Sequence, residues 1–413
     1  MDVDDAVRQV GELRRAIGLP AATLYGTGLI LGAGIYAVIG VAIGATGPSV
    51  VFAFVIAAVV ALFTGLSYAD LSSRYPKGEA EYLYTLRAFS SRRLSELTAL
   101  GRVATGVISA AAVSLAFGGY LSAIAPIDPV ITAVGLLAVA TAINWWGIEA
   151  STRVNMLFTV IEISGLLLII WVGLPMVGTV ELTALTHGWA GLLEASFLVF
   201  FAYIGFEALA NLAEETTHAE VTIPRAIQLS LLICTVLYIA VAIAAVAVVD
   251  AAILGVSTAP LATVATAAVG PNGGVILVVI ALFATANTAL MIVVSTSRVV
   301  YGVGKSEYRS LPPVFARVDA DHGTPVVAIV AVGFAAIAFA LIGSLELVTM
   351  LTNLALLSVF VLVNAAALKL HRSGELAGGY DPPLIYRGLS LTALVGMGAS
   401  MLMLAGYGFL LIS

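Results

Sequence analysis

The chain has 413 residues, 61% of them hydrophobic and only 10% charged. Soluble domains carry about 25% charged residues, so this composition excludes a soluble enzyme or a nucleic-acid binder and marks an integral membrane protein. The net charge of −6 bears on the aqueous loops alone, and a single cysteine, Cys234, excludes an intrachain disulfide. The apolar runs are long and do not alternate in polarity, which favours helices over an outer-membrane barrel.

Residues 1–18 are polar, with Arg14 and Arg15 just ahead of the first apolar run. That run continues far past the length of a signal-peptide core, so no cleavable leader is expected. Runs long enough to cross a bilayer fall at 21–45, 49–72, 96–125, 129–147, 153–178, 190–212, 224–249, 273–301, 325–343, 346–369 and 389–412, eleven in all. With the N-terminus in the cytoplasm, all 18 Lys and Arg fall on the inside and the outside segments receive none. This asymmetry predicts an extracytoplasmic C-terminus. The polar segment 73–95 carries Tyr82, Leu83, Tyr84, Leu86 and Phe89, the pattern of a short amphipathic helix at the inner interface.

The first run contains GTGLILGAGIYAVIG at 26–40, with five glycines in fifteen residues. Glycine costs about 1 kcal/mol relative to alanine inside a helix. One reading is close helix packing, which small residues allow in lipid. The other is a discontinuous helix, broken at Gly32-Ala33-Gly34, whose freed amides bind an anion. The sixth run, SFLVFFAYIGFEALANLAEE at 196–215, places Gly205 and Glu207 together at its middle. Two interrupted helices five spans apart predict an inverted-repeat secondary transporter with its site between the breaks.

Several stretches together carry a family resemblance: LGAGIY at 31–36, YPKGEAEYLY at 75–84, NWWGIEASTRVN at 144–155, FFAYIGFEALANLAEE at 200–215, APLATVATAAVG at 259–270, SRVVYGVGK at 297–305 and TPVVA at 324–328. In this order and spacing the chain resembles the amino acid–polyamine–organocation superfamily of permeases, from about Pro20 to Arg387. The resemblance implies an all-α, LeuT-like five-plus-five inverted repeat with discontinuous helices 1 and 6. Its segments would be an N-terminal segment 1–18, a first repeat over 19–180, a second over 181–371, and a final loop and span over 372–413. It implies an amino-acid substrate moved by alternating access, no cofactor, no metal and no enzymatic step. The substrate carboxylate would lie on the amides of Gly32, Ala33, Gly34 and Ile35. Its ammonium would lie on carbonyls of Phe201, Ala202 and Ile204, with Phe206 as the covering aromatic.

Glu162 is a departure. Proton-coupled members that this chain resembles carry a lysine at the aligned place in span five, where sodium binds in sodium-coupled relatives. A carboxylate reverses that charge logic, being neutral with its proton and anionic without it. Glu162 is therefore expected to be the proton-coupling residue. Two alternatives stand beside it: a sodium site shared with Thr285, Asn287 and Thr288, whose oxygens suit a hard cation, or a permanently protonated structural acid. Glu207 is read as a gating residue or as a hydrogen-bond acceptor for the frayed backbone of span six. The expected function is a proton-coupled amino-acid importer of the cell membrane. Its alternatives are a sodium-coupled or exchanging amino-acid or polyamine transporter and a non-transporting sensor of the same fold. The partners are the substrate, a coupling ion and the lipid bilayer, with no nucleic acid, and the choice between monomer and dimer stays open.

Overall fold

The computed structural model describes residues 17–77, 80–146, 152–305, 311–319, 324–373, 379–386 and 388–410. The N-terminal segment and Glu79 lie outside them, as does much of the NWWGIEASTRVN stretch.

The chain is a helical bundle. Its elements are α1 (Leu19–Thr46), α2 (Val50–Arg74), α3 (Ala80–Phe89), α4 (Arg92–Ser122), α5 (Pro129–Trp145), α6 (Thr152–Gly173), α7 (Gly188–Phe200), α8 (Ala219–Val248), α9 (Ala251–Gly255), α10 (Pro260–Val269), α11 (Pro271–Lys305), α12 (Val326–Ala340), α13 (Leu345–Ser373) and α14 (Leu391–Leu410). A two-residue antiparallel pair, β1 (Ile385–Tyr386) with β2 (Leu389–Ser390), precedes α14. Among the described residues, eight apolar helical stretches are long enough to cross a bilayer, the first of them covering both α1 and α2. Three shorter apolar helices, α5, α10 and α12, lie among them. Large apolar side chains face outward, such as Trp171, Trp189 and Phe334, each at least 70% exposed. A lipid environment explains that exposure where water would not.

Local chemistry sets the element ends. Asp128 caps α5 by accepting from the amide of Val130 at 2.7 Å, and Pro129 follows at the first helical position. Asp250 caps α9 in the same way through Ala252 at 2.8 Å. The segment between the apolar runs 224–249 and 273–301 is folded into α9 and α10. Pro224, read as the start of a span, lies inside α8, whose first turn begins five residues earlier. Proline is tolerated there because it sits near the helix start, where few intrahelical bonds are lost. The helix expected over 73–95 is α3; it packs beneath α4 and α13, with Tyr82 and Tyr84 buried.

The two helices expected to be broken behave differently. Span six is broken. α7 stops at Phe200, a 3₁₀ turn covers Phe201–Tyr203, and Ile204 is extended. Gly205 then sits at φ +129°, a backbone region that glycine enters freely and other residues do not. A ten-residue 3₁₀ stretch, Phe206–Glu215, completes the span. Runs of 3₁₀ longer than three or four residues are uncommon and often mark a hinge.

The expectation of a discontinuous first helix is corrected. α1 is one α-helix through Gly32-Ala33-Gly34. Its glycines permit close approach. A Cβ on Gly34 would stand 2.5 Å from both the Ala202 carbonyl oxygen and the Tyr238 hydroxyl, and one on Gly32 would collide with the Thr288 hydroxyl. With no water to compete for the backbone, intrahelical bonds are retained despite the glycine penalty. The packing reading of this stretch describes the observed state.

Candidate functional site

The midpoint of α1 lies directly against the break in span six. Gly34 touches Ala202, and a Cβ on Gly205 would stand 3.0 Å from the carbonyl carbon of Leu29 and 3.1 Å from the nitrogen of Ile30. The small residues of each element thus let the other's backbone approach. Ile35, Phe201, Ala202, Ile204 and Phe206 are all buried around this contact. The side chain of Ala33 lies outside the described ones. The amides at 32–35 fall inside continuous α-helix, so they do not stand open to a ligand in this conformation. Phe206 packs edge-on to Tyr68 at 5.7 Å and against Phe360 at 5.3 Å.

Tyr238, on α8, joins the two backbones. Its hydroxyl lies 2.7 Å from the Ile30 carbonyl oxygen and 2.9 Å from that of Ala202, and its O–H is shared between these acceptors. The residue escaped the sequence reading because an apolar run with one tyrosine reads as ordinary core. Its function depends on which carbonyls face it, and that is a tertiary fact.

Glu162 projects from α6 and is fully buried. Neither of its carboxyl oxygens has a hydrogen-bond partner among the described residues, and the same holds for the Thr288 hydroxyl. Both groups face Gly32: a Cβ there would lie 3.2 Å from a Glu162 carboxyl oxygen, 3.1 Å from the Ala284 carbonyl oxygen and against Thr288. Tyr36 donates to the Glu162 backbone carbonyl at 3.0 Å. Of the three sequence-predicted partners, Thr288 is brought to Gly32 beside Glu162. Thr285 donates to Ala281 of its own helix at 2.7 Å, and Asn287 is half-buried.

Glu207 has two roles in the geometry. One carboxyl oxygen accepts from the Gly205 amide at 2.8 Å, satisfying a donor that the break leaves without a helical partner. The other lies 3.6 Å from a terminal nitrogen of Arg102, on α4. Arg102 also lies 3.4 Å, through Nε, from Glu81 on α3. Tyr68 donates to the same Glu81 oxygen at 3.3 Å. The sequence places Arg102 among the basic residues of the inner side; the structure shows it buried, with a side chain 8% exposed. The available signal was its place inside the 96–125 run, since a charge at membrane depth marks function by default.

Beside this group a cavity of about 30 Å³ is lined by Leu29, Ser109, Ile204, Gly205, Met291 and Thr296, together with Arg102 and Glu207. It is large enough for ordered water and, in this conformation, too small for an amino acid.

A helical membrane bundle, with one broken helix held open against a glycine-rich neighbour at a buried polar centre, defines the class of the solute transporters. A family model described as Amino acid permease matches residues 17–411, and the chain belongs to that family. It is 30% identical over 387 residues to the branched-chain amino acid permease BcaP of Bacillus subtilis (87% of this chain, 82% of that one). It is 27% identical to the methylthioribose transporter of the same organism (90% of this chain, 85% of that one). It is also 30% identical to the chloroplastic cationic amino acid transporter 9 of Arabidopsis thaliana (74% of this chain, 58% of that one). The protein is thus a membrane permease rather than an enzyme.

Proposed function

We propose that the chain is a secondary active importer of amino acids, driven by protons, in which α1 and the broken span six form the substrate site. The observation that carries this reading is the backbone contact of Gly34 with Ala202 and of Gly205 with Leu29–Ile30. In the observed state α1 is closed. Opening it at Gly32-Ala33-Gly34 frees the amides of Gly32, Ala33, Gly34 and Ile35 for the carboxylate. Withdrawing the Tyr238 hydroxyl frees the Ala202 carbonyl, which joins those of Phe201 and Ile204 around the ammonium. Named relatives carry branched-chain or cationic amino acids. A site built from backbone groups suits such a family because it reads the α-groups that all amino acids share.

The eleven spans are read as two five-helix repeats, 19–180 and 181–371, followed by a last span. Packing supports this: α1 meets α7, α2 meets α8, α4 meets α11 and α5 meets α12, each pairing the same place in the two halves. A short helix or helix pair follows the second span of each half, α3 in one and α9–α10 in the other. The distribution of Lys and Arg favours a cytoplasmic N-terminus.

Glu162 is assigned the coupling proton. A fully buried carboxylate with no hydrogen-bond partner among the described residues is costly as an anion, and a proton removes the charge. A second reading rests on the oxygens of Glu162, Thr288 and Ala284 gathered at Gly32, which would suit a monovalent cation. Uptake into proteoliposomes separates the two. The proton reading expects accumulation driven by a pH gradient without sodium, and its loss in Glu162→Gln with substrate binding retained. Accumulation that follows a sodium gradient instead would select the cation site. Binding without any uptake would identify a sensor.

A further inference from the structure

The Glu81–Arg102–Glu207 group has a charge imbalance that the transport site does not use. Two carboxylates, 5% and 1% exposed, flank one guanidinium that is 8% exposed. With both acids ionised, the group holds one uncompensated negative charge in the protein interior. Such a charge is costly unless paired. Among the described residues, the groups that face it include no second cation. On α2 the titratable neighbour is Tyr68, on α3 it is Tyr84, and the lining residues from α1 and α11 are Leu29, Met291, Ile292, Ser295 and Thr296.

We propose that this group is a second proton-holding site, separate from Glu162, and that Glu81 carries the proton. The two acids are not equivalent. Glu207 accepts the Gly205 N–H across the break at 2.8 Å and faces the guanidinium at 3.6 Å. Glu81 meets the guanidinium at 3.4 Å and a neutral tyrosine hydroxyl at 3.3 Å, both longer than a good charge-assisted bond, and its backbone partner is its own amide. Burial raises the pKa of Glu81 above its ordinary value, against the opposing pull of Arg102. A neutral Glu81 leaves Arg102 and Glu207 as a balanced pair beside the break. When Glu81 ionises, the guanidinium is shared between α3 and span six, so the proton sets how firmly α3 is tied to the helix that opens.

Infrared spectroscopy of the purified, substrate-free protein tests this without reference to transport. At neutral pH the carboxylic-acid C=O region is expected to contain a Glu81 band that is lost in Glu81→Gln and kept in Glu162→Gln. Glu81→Asp provides a second arm if Glu81→Gln folds poorly: it keeps the acid on α3 and is expected to shift the frequency of that same band without removing it. An unchanged spectrum in folded Glu81→Gln, or in folded Glu81→Asp, overturns the proposal. Because no substrate is present, either result leaves the amino-acid transport reading to be judged by uptake alone.

Discussion

α1 and span six differ most where their sequences predict the same interruption. The stretch 26–40 of α1 has five glycines and stays helical, whereas span six has one central glycine and breaks. Glycine content is therefore not what interrupts a helix in this bundle. The α1 glycines lie flush against neighbours, and their backbone bonds stay inside the helix. Gly205 is different in kind: its φ of +129° leaves the helical region, and Glu207 supplies the acceptor that its amide loses. A break needs both a residue that tolerates the turn and a partner for the orphaned backbone group.

The sharpest way to break the comparison is Gly34→Val. Its Cβ would meet the Ala202 carbonyl and the Tyr238 hydroxyl at 2.5 Å, with backbone on one side and no flexible end to yield. Overpacking of this kind costs about 1–3 kcal/mol or more, and folded yield and uptake are both expected to fall about tenfold or further. Gly205→Ala tests the other partner. It forces a non-glycine residue into a sparsely populated backbone region, at a cost of about 1–3 kcal/mol. A lower midpoint in a thermal-stability scan is expected; an unchanged one would mean that the break does not depend on that φ.

Tyr238→Phe should have a smaller effect, about 0.5–1.5 kcal/mol, the usual net contribution of one hydrogen bond. It also removes the tie between Ile30 and Ala202. If that tie holds the site closed, hydrogen exchange at the midpoint of α1 rises more than exchange elsewhere; a uniform rise would assign Tyr238 to stability alone. The smallest effect belongs to Asp250→Ala, which removes a cap far from the site, and about 1 kcal/mol of local helix stability with it. Uptake is expected to be unchanged, so Asp250→Ala controls for non-specific destabilisation.

The membrane class, the positions of the apolar runs and the membership of a permease family were legible along the chain, because each rests on local composition or motif order. Span six was legible too, since Gly205 and Glu207 are two positions apart and the Glu207 side chain accepts from the Gly205 amide. Arg102 was misread because a tally of basic residues by segment does not register burial. Tyr238 was missed because its acceptors lie 208 and 36 positions away.

The sequence by itself determined that this protein lives in a bilayer, that its helices carry small residues at their midpoints, and that acids stand inside apolar runs. Composition and periodicity suffice there, because hydrophobicity and helix length are local properties. The tertiary structure alone decided which glycine-rich helix stays whole, which carbonyls Tyr238 holds, that the Glu162 carboxyl finds no hydrogen-bond partner among the described residues while that of Glu207 has two, and that Arg102 lies between Glu81 and Glu207. Those outcomes depend on which surfaces meet across the bundle. A buried polar group is judged by the neighbours it finds, and in this chain those neighbours come from distant spans.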